Sequence, residues 1–113
     1  MRTASTIISL SPQISAYQAG LYADCDEHMV SLANVLLSHE PFASGKTPLQ
    51  LTDENFGRVP RVYIECTENR AVTPFIQRKM HTEMPCEKVY RLPTSHSPFF
   101  SQPQALADIL SQL

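Results

Sequence analysis

The sequence predicts an α/β protein built on a parallel sheet, and three observations carry the prediction. Two β-favouring runs, Arg61 to Cys66 and Glu87 to Leu92, are separated by a segment of helical length. A second helical segment, opened by Pro103, follows the second run. Each run ends in a polar turn, 67–70 and 93–98. Strand, helix, strand and helix in that order make a βαβ crossover, which joins parallel neighbours. In open sheets of this kind ligands lie beyond the carboxyl ends of the strands. Glu68, Asn69 and His96 are therefore expected on one rim.

The elements before the sheet are less regular. Residues 5–22 mix β-branched side chains with Pro12 and Gly20, which suggests a short strand or an irregular arm. A helix is expected from about Asp26 to Ser38. Asp24 with Glu27 three residues on resembles a capping box, with Asp in the Ser/Thr place. Met29, Leu32, Ala33, Leu36 and Leu37 then recur at helical spacing on one face. Residues 39–58 carry Pro41, Gly45, Pro48 and Gly57, and read as a long connection with one short turn.

From residue 59 the pattern sharpens. Val62, Tyr63, Ile64 and Cys66 make a largely apolar strand, as buried parallel strands are. Thr73 and Pro74 supply an N-cap and a first-turn proline. The helix they open runs to about Met84, with Phe75, Ile76, Met80 and Met84 as its expected buried side. Residues 93–101 form a loop with two prolines. The last helix places Ala105, Leu106, Ile109, Leu110 and Leu113 on one face. The chain thus divides into 1–58, an irregular segment with one helix, and 59–113, the βαβα unit.

Composition narrows the function classes. At 113 residues the chain holds at most one domain. Its 42% hydrophobic and 18% charged residues are ordinary for a soluble globular protein. A net charge of −2, with the basic residues scattered, gives no electrostatic case for nucleic acid or an anionic membrane as partner. Cys25, Cys66 and Cys86 are odd in number and form no CxxC. A reducing compartment follows, and the cytoplasm is the expected location. Residues 1–23 lack acids, but one arginine is too few for a transit peptide. Ile7-Ile8 is far too short for a signal core or a membrane span.

Two strands make a marginal sheet, and one apolar edge of the pair would be an association template. Self-association is expected, or pairing with a complementing N-terminal half.

Specific residues now resemble a known family. The stretch Val59-Pro60-Arg61-Val62-Tyr63-Ile64-Glu65-Cys66-Thr67-Glu68-Asn69-Arg70-Ala71-Val72 is similar to the penultimate-strand segment of esterases related to plant methylesterases and hydroxynitrile lyases. Ser95-His96-Ser97-Pro98-Phe99-Phe100-Ser101 resembles that family's histidine loop. Leu21-Tyr22-Ala23-Asp24-Cys25 and the helix after it resemble its lid. The resemblance covers roughly residues 15–113. It implies a partial α/β-hydrolase fold: a lid-like segment and connection over 1–58, then the last two parallel strands and their helices over 59–113.

The chemistry implied is hydrolysis of a small-molecule carboxylic ester, or cyanohydrin cleavage in the lyase branch, without a cofactor or metal. A serine attacks, a histidine is the base and a carboxylate orients the histidine. By position His96 is the base. The acid position falls on Asn69, where the family usually has Asp, and Glu68 beside it is the alternative orienting partner. Glu65 lies within the strand, where alternation points it elsewhere. The residue before the histidine, usually Asp, is Ser95. The serine's Gly-x-Ser-x-Gly turn does not occur in these residues, whose only glycines are Gly20, Gly45 and Gly57. The isolated chain is therefore expected to be inactive. A non-catalytic interaction or ligand-binding remnant is the second reading. A Cys66–His96 hydrolase is the third, against the expectation that Cys66 is inert core. His28, His39 and His81 lie at no metal-ligand spacing.

Overall fold

A computed structural model describes residues 14–113 of the chain. Six α-helices and two strands occur among them in the order α1 (Ile14–Leu21), α2 (Glu27–Leu36), α3 (Phe42–Lys46), β1 (Val62–Cys66), α4 (Pro74–Glu83), β2 (Lys88–Leu92), α5 (Pro98–Ser101) and α6 (Pro103–Leu110). A 3-10 turn at Phe56–Arg58 precedes β1.

The two strands pair in parallel, Val62 with Lys88 through Cys66 with Leu92. This is the βαβ crossover that the sequence predicts. The side of β1 toward β2 uses the odd-numbered main-chain groups. Glu87 N–H donates to Arg61 O at 2.8 Å, and Thr67 N–H to Leu92 O at 2.9 Å. The even-numbered groups of β1 consequently face away from β2.

Several local expectations are corrected. Part of the strand or arm suggested over residues 5–22 falls outside the described residues, and residues 14–21 are helical instead. Three of the four β-branched residues in 5–22, Thr6, Ile7 and Ile8, lie before Pro12, while 15–19 bring Ala16, Gln18 and Ala19. The helix cap is Asp26, not Asp24. Its Oδ1 accepts from the Met29 N–H at 2.8 Å, its backbone is extended, and Glu27 opens the helix. The 39–58 connection holds one short helix, α3, and the 3-10 turn, and all its residues are exposed.

The apolar faces are only partly covered. On α2 it is Val30 and Ala33 that are buried, packing with Tyr22 against Leu21, Cys25 and Phe100. Leu32, Leu36 and Leu37 of the expected stripe are exposed. On α4 the expected apolar side is reversed. Phe75, Ile76, Met80 and Met84 are all exposed, and the one buried residue is Gln77. The helix is held to the strand by that amide and by ion pairs rather than by an apolar stripe. On α6 Ile109 is buried, whereas Leu110 and Leu113 are exposed.

Candidate active site

The site is assembled from two turns at the carboxyl end of the sheet and one segment that crosses them. The turn after β1 is zipped onto the loop after β2 by the main chain. Thr67 N–H and Oγ1 both bond Leu92 O, at 2.9 and 3.2 Å, and Glu68 N–H donates to Thr94 O at 3.0 Å. Asn69 and His96, 27 residues apart, meet across this seam. His96 Nδ1 lies 3.2 Å from Asn69 Oδ1.

The direction of that bond follows from its surroundings. Asn69 is buried, and its Oδ1 also accepts from the main-chain N–H groups of Ala71 and Val72, both at 3.0 Å. Two N–H donors can be met only by the oxygen of the amide, so the carboxamide cannot be turned around. His96 must then donate from Nδ1–H. The neutral ring is left with its lone pair on Nε2, which makes no hydrogen bond among the described residues. An imidazole in that tautomer can take a proton at Nε2.

Gln77 fixes the turn from behind. Its Oε1 accepts from Cys66 N–H at 2.8 Å, and its Nε2 donates to Cys66 O at 2.9 Å and to Val72 O at 2.8 Å. The side chain acts as a peptide unit that ties α4 to both ends of the turn holding Asn69. The histidine loop is equally enclosed: Thr94, Ser95 and Ser97 are all buried. Asp24 Oδ2 accepts from Ser95 N–H at 2.8 Å, and Ser97 Oγ donates to Leu21 O at 2.7 Å.

Of the three residues expected at the site, the structure brings Asn69 and His96 together and leaves Glu68 apart. Glu68 is exposed, and its carboxylate has no hydrogen bond or ion pair among the described residues. Glu65 is instead the shared acceptor of an ion cluster formed with α4 and β2. It is fully buried, 3.2 Å from Arg78, 3.3 Å from His81 and 3.8 Å from Arg91. Burial pushes its carboxyl pKa up, but the His81 hydrogen bond and the charges of Arg78 and Arg91 outweigh burial and hold it below the ordinary value.

Cys66 is buried, paired in register with Leu92, and among the described residues no bond joins its thiol to His96. The Cys25 thiol is pushed up by burial, and further by Asp24 and Asp26, away from thiolate reactivity. Among the described residues no cluster of His, Cys, Asp or Glu has the geometry of a metal site. Phe99 and Phe100 line a hollow of about 500 Å³ with Tyr22, Leu36 and Leu37, three residues beyond His96 in the chain.

Gln77, Asp24 and Ser97 were not predicted at the site. Gln77 lies between Ile76 and Arg78 on a helix and has no sequence signal of its own. Asp24 has the signature of a cap instead, because Glu27 stands at capping-box spacing.

The arrangement is that of the C-terminal part of an α/β-hydrolase. The structure of polyneuridine aldehyde esterase matches 88% of this chain with a TM-score of 0.81 at 20% identity, and the chain covers 40% of that protein. An Arabidopsis methylesterase matches with a TM-score of 0.75 at 27% identity, over 88% of this chain and 43% of its own. No family model matches the sequence.

Sequence relatives refine the class. The provisionally named chloroplastic methylesterase 11 of Arabidopsis thaliana is 45% identical over 85 residues, which is 74% of this chain and 22% of the relative. Methylesterase 17 of the same plant is 34% identical over 94 residues, 80% of this chain and 34% of that protein. The chain spans about a fifth to a third of the length of these relatives. Its homologues are plant methylesterases, and it corresponds to a C-terminal segment of an α/β-hydrolase of that family.

Proposed function

We propose that the chain carries the general base and its orienting partner for hydrolysis of a small-molecule carboxylic ester, with the serine nucleophile supplied by sequence outside these 113 residues. The observation that supports this best is the Asn69–His96 bond, whose direction leaves Nε2 as the open base. In the reaction His96 Nε2 takes the serine proton as the oxygen attacks the ester carbonyl. It then returns that proton to the departing alcohol. A water deprotonated by the same nitrogen releases the acid. Asn69 Oδ1 holds Nδ1–H throughout. No cofactor enters this chemistry.

The chain by itself is then inactive. The test is turnover of a p-nitrophenyl ester by the chain alone and by the chain mixed with an N-terminal methylesterase half that carries Gly-x-Ser-x-Gly. Activity is expected only in the mixture, and only while His96 is intact. Turnover by the chain alone that vanished in His96→Ala would overturn the inactivity.

A second reading, a non-catalytic interaction module, is favoured by the outer edge of β1. The main-chain groups of Val62 and Ile64 face away from β2 and have no strand partner among the described residues. Such an edge takes an added strand, from a second copy or from a complementing half. A stable homodimer that the N-terminal half does not dissociate would favour this role over the catalytic one. One relative named above is called chloroplastic. For this chain we infer a reducing compartment from its free thiols. The cytoplasm is tested by imaging a fluorescent fusion of the chain.

A further inference from the structure

The two residues that flank His96 are both held by one distant segment. Ser95 N–H is bonded to Asp24 and Ser97 Oγ to Leu21 O, contacts that span 71 and 76 residues of sequence. On its other side the loop is held by Glu68 N–H on Thr94 O and by Asn69 on His96. His96 therefore sits between two grips, one from the turn after β1 and one from the segment between α1 and α2.

We propose that Asp24 is a positioning residue for His96, acting through the Ser95 main chain. The proposal rests on the reading of His96 as the base. Ser95 is 1% exposed, so no water stands ready to take the place of the carboxylate on its N–H. Asp24 is itself exposed. One oxygen enters the loop while the charge stays hydrated, so the bond carries little desolvation cost. Without that acceptor the Ser95 N–H is orphaned, and the loop turns to satisfy it. The turn moves the His96 ring off Asn69 Oδ1. A neutral imidazole released from such an acceptor prefers its proton on Nε2, the nitrogen that has to be bare for a base. The segment ahead of α2 thus controls which nitrogen of His96 is available, with no contact to the ring.

The test is ¹⁵N NMR of the imidazole and amide exchange on the 113-residue chain at about pH 8.5, where an ordinary imidazole is neutral. In the unaltered chain His96 is expected as the Nδ1–H tautomer. D24A should shift the ring toward Nε2–H and speed exchange of the Ser95 amide about tenfold. The Cys66 amide, held by Gln77, should keep its protection. D24N, which retains an acceptor oxygen, should restore both signals. The proposal is overturned by a D24A chain with an unchanged tautomer, by equal acceleration at Cys66, or by D24N behaving like D24A. None of these signals reads ester turnover. A tautomer shift in a chain that never supports hydrolysis would sink the esterase reading and leave the positioning role standing.

Discussion

Gln77 pairs with both main-chain groups of Cys66, accepting from its N–H at 2.8 Å and donating to its carbonyl at 2.9 Å. A helix side chain thereby does what the next strand of a sheet would do. Its second amide proton goes to Val72 O, so all three of its strong bonding positions in this geometry are used. Removing the amide leaves the buried Cys66 N–H and the Val72 carbonyl without partners, and the Cys66 carbonyl with the Asn69 N–H alone. Gln77→Leu is expected to destabilise the chain by about 2–4 kcal/mol. The urea midpoint, compared at unchanged slope, measures this. A midpoint within error of the parent would show that water replaces the amide.

Asn69 is expected to be a better partner for a histidine than an asparagine at this position usually is. Exchange of Asp for Asn in a serine triad costs about 10⁴ in turnover, largely because the amide turns and selects the wrong tautomer. Here the N–H groups of Ala71 and Val72 prevent that turn. What remains missing is the negative charge that stabilises the imidazolium. Asn69→Asp should raise turnover of the complemented enzyme by only about tenfold to a hundredfold, the difference between a neutral and a charged acceptor. A gain near 10⁴ would mean that the carboxamide is free to rotate.

Glu65 makes stability depend on acidity. Its folded pKa lies below its unfolded value, despite burial, because His81, Arg78 and Arg91 favour the carboxylate. The contribution is therefore complete above the ordinary carboxylate value of 4.5 and is lost as pH falls through the lower folded value. Denaturation midpoints of the parent should decline below about pH 4.5 more steeply than those of Glu65→Gln. Parallel curves for the two chains would place the acid sensitivity in other carboxylates.

The outer edge of β1 should make the isolated chain associate. Val59, Val62, Met80 and Met84 are exposed, and the Val62 and Ile64 main-chain groups have no strand partner among the described residues. Sedimentation velocity is expected to show larger species as concentration rises. Val62→Lys, a charge of the kind that natural edge strands carry, should suppress them. A monodisperse monomer at every concentration contradicts the prediction.

The βαβα order and the common rim of residues 67–70 and 93–98 were legible because strand and helix periodicities differ and the turns are polar. Asn69 and His96 were legible through motif resemblance. The buried faces of α2 and α4 were not. Periodicity says which residues share a face; it does not say whether another element covers it. Phe75, Ile76 and Met80 share a face and remain exposed, while the polar Gln77 between them is buried. Asp24 and Asp26 both satisfied the short-range rule for a cap, and only the long-range demand of the Ser95 N–H separates them.

One consequence concerns any neighbour that docks along β1. Its first two outward positions, Val62 and Ile64, can be zipped to another backbone, but the third, Cys66, is already sealed by Gln77. An incoming strand must therefore peel away one rung before the turn. The divergence leaves a notch at the carboxyl end of β1, immediately before Asn69. A side-chain amide thus decides where the sheet is allowed to stop.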